Sequence, residues 1–168
     1  FRAYVNALQL LPSDSGLQSI SLILQVPASA LGEHIRDIQR KGFADYRVQP
    51  EGARSLYAPI THIEPFEGPN LKALGFDVLT LPAAKAALDR ASATGQPALS
   101  GPLALMQDGR QGQVLYLPLY DARTRTPPAP GQPVRLLGWV SAPFRLADVI
   151  RSMSREFDPD IGLQILDH

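Results

Sequence analysis

Four segments in the second half of the chain read as strands: 97–100 (PALS), 103–107 (LALMQ), 112–120 (GQVLYLPLY) and 134–142 (VRLLGWVSA). No helical pattern stands between any of them. Parallel neighbours need a crossover of a dozen or more residues, usually a helix, whereas antiparallel neighbours can be joined by a short turn. DGRQG (108–112) is such a turn. DARTRTPPAPGQP (121–133) holds four of the 16 prolines and is too polar and too proline-rich to pack, so it reads as an exposed loop. No alternation of strand and helix runs along the chain. The pattern therefore excludes a doubly wound parallel sheet and predicts an antiparallel α+β fold.

The first half supplies further strands and the elements that cover the sheet. Phe1, Val5 and Leu8 stand at helical spacing in residues 1–10, which reads as the end of a helix, and 12–16 (PSDSG) reads as a turn. In SISLILQV, Ile20, Leu22, Leu24 and Val26 alternate as one face of a strand. Leu31, Ile35 and Ile38 mark a helix over 29–41. Ser29 is its expected N-cap, Glu33 lies early, Arg40 and Lys41 lie late, and Gly42 follows the end, an order that suits the helix dipole. DYRV (45–48) and SLYAPITHI (55–63) read as strands around a turn at 49–54. GPNLKALG (68–75) reads as a short helix with Asn70 as cap and Gly75 as stop. The clearest helix is 82–94, with Pro82 in its first turn, Leu81, Ala84, Leu88 and Ala91 as a buried stripe, and Gly95 closing it. FRLADVIRSM (144–153) repeats helical spacing and IGLQILD (161–167) alternates. The expected sheet is built from 20–26, 45–48, 56–63, 97–107, 112–120 and 134–142, flanked by the 29–41 and 82–94 helices.

Composition removes several classes of function. The 16 basic residues balance 16 acidic ones, and no basic stripe stands out for nucleic acid to neutralise. Apolar residues are 45% of the 168, which suits a domain with a real core. Cysteine is absent, so there is no disulfide framework, thiolate metal site or thiol nucleophile. No apolar run approaches the roughly 20 residues that cross a bilayer. The chain starts at Phe1 and stops after a strand-like segment, so both ends are expected to be cuts in a longer protein.

One acid stands out. Asp77 lies in an apolar run (Leu74, Phe76, Val78, Leu79) just before the 82–94 helix. An ionised carboxylate among apolar neighbours is costly unless something hydrogen-bonds it. Two readings are open: Asp77 accepts N–H groups of a bound ligand, or it caps a turn or the following helix through backbone N–H groups. The remaining candidates are weaker. His62, Glu64 and Glu67 could suggest a metal but read more simply as a solvated strand face. Ser100 lacks a nucleophile-elbow pattern, and His34, His62 and His168 sit in unrelated segments, so no catalytic triad emerges. Trp139 and Tyr57 read as core. No catalytic set is expected, and no cofactor.

The ordered series GLQSISLILQVP, GFADYRVQP, YAPITHIEP, NLKALGFD, AAKAALDRASATGQPALSGPLAL, GQVLYLPLYD and LLGWVSAPF resembles the CHASE domain, a family of extracytoplasmic sensor modules of membrane receptors. Its most specific part is the acid before the helix followed by A-x-x-T-G-x-x-x-L-S-x-P. The resemblance implies the end of a long stalk helix (1–16), a ligand-binding PAS-like lobe (17–143), a connecting helix (144–156) and the start of a second, membrane-proximal PAS-like lobe (157–168). It implies a periplasmic address at the inner membrane, flanking transmembrane helices, a homodimeric receptor, and a histidine kinase or diguanylate cyclase as output. Plant members bind cytokinins, N6-substituted adenines, and there the motif acid accepts hydrogen bonds from the adenine. By that resemblance the ligand site would draw on Asp77, a backbone group at Leu99, and Tyr57, Leu105, Asp108 and Leu117. A third polar contact of the plant members falls on a Thr, and no Thr stands near Asp108 here. The competing reading is a structural or dimerising ectodomain without a small-molecule ligand.

Overall fold

The computed structural model describes residues 1–8, 16–121 and 135–154. In chain order it contains α1 (Arg2–Leu8), β1 (Ile20–Leu24), β2 (Val26–Pro27), α2 (Leu31–Arg40), β3 (Leu56–Tyr57), β4 (Ile60–Glu64), α3 (Pro82–Thr94), β5 (Ala98–Leu99), β6 (Leu103–Ala104), β7 (Gln111–Tyr120), β8 (Leu136–Phe144) and α4 (Leu146–Ser154). The main sheet runs β4-β1-β8-β7-β5, with β6 also on β7, and every one of these pairings is antiparallel. β2 and β3 form a small separate ladder. The fold is α+β, as the uninterrupted run of strands predicts.

Helix α3 covers the inner face of the sheet. Ala84, Ala87, Leu88 and Ala91 are all fully buried, and the three alanines let the helix lie close to the strands below. Its ends follow the sequence signals: Pro82 sits at the start, and Gly95 ends it in the left-handed conformation at φ 69°. Ser92 ties helix to sheet, because Trp139 Nε1 donates to its Oγ at 3.2 Å and Tyr120 donates to its carbonyl at 3.1 Å. Ile23, Ile63, Leu88, Leu105, Tyr116 and Trp139 form the centre of this core. Complete burial of a side chain such as Leu88 contributes roughly 1.5–3 kcal/mol. At the other side, Val5 of α1 is buried and Arg2 pairs with Glu64 of β4 at 2.7 Å.

Several local expectations are corrected. Ile20, Leu22 and Leu24 share one face of β1 as expected, but Val26 belongs to the separate β2, and it is the opposite face, Ser21 and Ile23, that is buried beside Ser141 and Trp139. ISLIL is apolar at both parities, so period two alone does not choose a face. Residues 45–48 are not a strand. Tyr46 and Val48 bury against Ile38, Val26 and Tyr57 in a second cluster, and Gln49 bonds to the segment around Gly75 instead. Ser29 falls within a 3-10 turn (Ala28–Ala30), and α2 starts from Ala30 without a side-chain cap. Gly68–Ala73 is likewise 3-10, and Asn70 lies inside it, donating to the Pro65 carbonyl at 3.0 Å. Met106 and Gln107 follow β6 in a turn rather than extending it. The loop at 122–134, most of the turn at 12–16, and the end of the connecting helix with the 161–167 strand lie outside the described residues.

Candidate ligand-binding site

Cross-strand register assembles the floor of a cavity on the inner face of the sheet. Ser21 of β1 is opposite Ser141 of β8, and Ser141 is opposite Tyr116 of β7. Three polar residues from distant parts of the chain thus stand in one row. The cover comes from two segments: Ala73, Phe76, Val78 and Leu81 on one side, and Leu103, Leu105, Met106 and Gln107 on the other. The space between is about 40 Å³. At roughly 10–15 Å³ per water, that is room for a few water molecules.

The cavity lining is apolar apart from Ser21, Ser141, Tyr116 and Gln107, and carries no charged side chain. Ser21, Ser141 and Tyr116 are 2%, 3% and 2% exposed. Their hydroxyls make no hydrogen bond among the described residues, and they border the open space of the cavity rather than being sealed against protein atoms. Burial pushes the Tyr116 phenol well above its ordinary pKa, so it stays protonated at physiological pH and can donate. Gln107 is held from behind, its Nε2 donating to Ser19 Oγ at 3.2 Å.

The wall carrying Phe76 and Val78 is fixed by Asp77. Gly75 precedes it at φ 80°, and a Cβ there would collide with the Arg47 carbonyl oxygen. That close approach lets residues 75–78 run between 47–49 and 58–60: Asp77 N donates to Gln49 O at 2.6 Å, Val78 N to Ala58 O at 3.1 Å, and Gly75 N to Ile60 O at 2.8 Å. Neighbouring side chains in such a segment point to opposite sides. Phe76 and Val78 face the cavity, and Asp77, fully buried, is not part of its lining. Asp77 Oδ1 accepts from Ala58 N at 2.9 Å and from Leu79 N at 3.2 Å. Oδ2 lies 2.9 Å from Arg54 Nε, an ionic contact whose N–H is not aligned as a hydrogen bond. Arg54 is itself braced, its guanidinium 4.9 Å from the Tyr57 ring centroid and its Nη2 on the Pro50 carbonyl at 2.6 Å. The carboxylate caps the 3-10 turn Val78–Thr80, and α3 begins after Leu81 with no side-chain cap.

Comparison with protein families matches the CHASE domain over residues 1–168. The chain belongs to the CHASE domain family. CHASE domains are extracellular sensor domains of membrane receptors, not catalytic ones. A search of curated proteins found no match. No helix among the described residues is long and apolar enough to cross a membrane.

Within this CHASE domain, the residues singled out from sequence do not converge. Leu105 lines the cavity and is 2% exposed. Tyr57 is buried on the far side of Asp77, its hydroxyl donating to Gly52 O at 2.9 Å and accepting from Arg54 N at 3.0 Å. Leu99 and Leu117 are exposed on the outer face of the sheet, and the Leu99 carbonyl accepts from Arg90 Nη2 at 2.6 Å. Asp108 sits in the β6–β7 turn and pairs with Arg145, which also meets Asp148 of α4 at 3.2 Å. Sequence reading missed Arg54 and the row Ser21–Ser141–Tyr116. A signal existed for Arg54, since a buried acid calls for a cation and Arg54 ends the turn before β3. None existed for the row, because it depends on register.

Proposed function

We propose that this CHASE domain is the extracytoplasmic ligand-sensing part of a transmembrane receptor, and that its small-molecule ligand enters the cavity between the sheet and its cover. The observation that carries this reading is the row of three hydroxyls, unbonded within the fold, that faces a cavity lined otherwise by apolar residues and Gln107. Ligand sites are mostly apolar with a few placed polar groups. The sheet order supports a PAS-like lobe: β1 lies between β4 and β8, the last strand among the described residues, so the first and last of these strands meet near the sheet's centre.

In this reading the signal leaves the lobe through α4. The segment that covers the cavity continues into Asp108, and Asp108 is tied through Arg145 to the first turn of α4. Ligand that displaces Met106 or Gln107 would load this connection and so the helix leading away from the lobe. The receptor works as a homodimer with a histidine kinase or diguanylate cyclase output in this reading. A second reading, a dimerising ectodomain without ligand, draws on Leu99, Leu115 and Leu117, each about 40% exposed on the outer sheet face.

A thermal-shift screen of a small-metabolite library, adenine and N6-substituted adenines included, separates the two. A ligand that binds only the folded state stabilises by about 2.7 kcal/mol at a hundredfold excess over its Kd. Ala73→Leu, which places a larger side chain in the cavity wall, is expected to abolish the shifts. Shifts that persist in Ala73→Leu would place the ligand elsewhere, and a screen without shifts would favour the ectodomain reading.

A further inference from the structure

We infer that the ligand is an uncharged molecule that presents hydrogen-bonding groups along one edge to Ser21, Ser141 and Tyr116. This rests on the sensor reading above and adds the chemical class of the ligand.

Three observations carry it. First, the lining contains no charged side chain. An ionised ligand would leave water without a counter-charge to replace its hydration, which is strongly unfavourable in an apolar site. The fully buried carboxylate of Asp77 is not part of the lining and already holds Arg54 and two backbone N–H groups. Second, the polar groups are organised, not scattered. Adjacent strands lie roughly 4.7–4.9 Å apart, so three neighbours spread the row over about 10 Å. The two serines are short and stay at the floor, whereas the Tyr116 ring reaches further above the sheet. A ligand edge set along the row meets hydroxyls at two heights. Third, a hydroxyl both donates and accepts. The row therefore fits an edge that alternates N–H and C=O or ring nitrogen, as in a neutral amide, lactam or nitrogen heterocycle. Met106 in the cover is flexible and polarisable, and it can move aside for a ring larger than the present cavity.

The test has a ligand-free arm and a ligand arm. In the absence of ligand, Ser141→Ala and Tyr116→Phe remove hydroxyls that bond to nothing in the fold. Both variants are expected to melt at or above the wild-type temperature, because replacing an unpartnered buried polar group by an apolar one of the same shape is neutral or stabilising. A fall of more than about 3 °C in either would show that the hydroxyl serves the fold and would overturn the inference. In the second arm, calorimetric titration compares nicotinamide with nicotinate and benzamide with benzoate, pairs of nearly equal shape that differ in charge. The neutral member of each pair is expected to bind at least tenfold more tightly, and Tyr116→Phe and Ser141→Ala to weaken it about fivefold each. Anions that bind as well as the amides, or amides indifferent to both substitutions, would overturn the inference while leaving the sensor reading intact. A protein that takes none of the four overturns it as well, and the library screen then decides the sensor reading separately.

Discussion

Replacing Asp77 by Ala tests how the cavity wall is held. The substitution leaves the Ala58 and Leu79 N–H groups, now bonded to Oδ1 at 2.9 and 3.2 Å, without an acceptor in a fully buried place. Each such orphaned donor costs about 1–3 kcal/mol. Arg54 loses its carboxylate, but its side chain is 26% exposed and keeps the Pro50 carbonyl, so water can take up part of that loss. The sum centres on roughly 4 kcal/mol, within the 3–5 kcal/mol seen when one partner of a buried pair is removed. For a chain of this size each kcal/mol moves the melting temperature about 2–4 °C, so the Ala variant should melt about 8–16 °C lower. Asp77→Asn keeps an oxygen for the two backbone donors but sets an NH₂ group against Arg54 Nε–H. Its cost is smaller, about 1–2 kcal/mol, the charged share of the interaction. Thermal melts followed by circular dichroism, with urea unfolding as a second measure, read both. An Ala variant within about 2 °C of wild type would refute the role of Asp77 as the anchor of this wall.

Two other predictions concern the same lobe. Gly75→Ala requires a left-handed backbone at φ 80° and drives a Cβ into the Arg47 carbonyl, so a loss of about 3 kcal/mol or more is expected; Gly109→Ala, at φ 73° with open space around it, should cost only about 1 kcal/mol in the same melts. His34 is held below its ordinary pKa of 6.5 chiefly by burial, with Asp37 opposing and Lys41 adding to the effect, and its Nε2 lies 2.9 Å from the Tyr46 hydroxyl. Because the folded form resists protonation, the unfolded chain binds more protons below pH 6.5, and stability present above that pH is lost as pH falls through it toward the folded pKa. The melting temperature should drop from pH 7 to pH 5, and His34→Gln should flatten that drop; an identical slope in the variant would assign the effect to other groups.

Much of the architecture follows from local pattern. The antiparallel sheet is written in successive strands with no helix between them. Helix α3 is written in Pro82, the spacing of its alanines and Leu88, and Gly95. The constraint on Asp77 is also local: a carboxylate among Leu74, Phe76 and Val78 has to find donors, whatever they turn out to be. What the donors are was decided by tertiary structure. They are the Ala58 and Leu79 N–H groups, with Arg54 as the counter-charge, brought together because Gly75 lets two backbone segments close on each other. The same holds for the face of β1, where apolar residues at both parities leave the choice to the strands on either side. It holds for DYRV, whose Tyr46 and Val48 found burial against α2 without joining the sheet. It holds most for Ser21, Ser141 and Tyr116. Periodicity along one strand shows which residues share a side, but only the register between strands shows which ones meet, and register is set by the whole sheet and its cover.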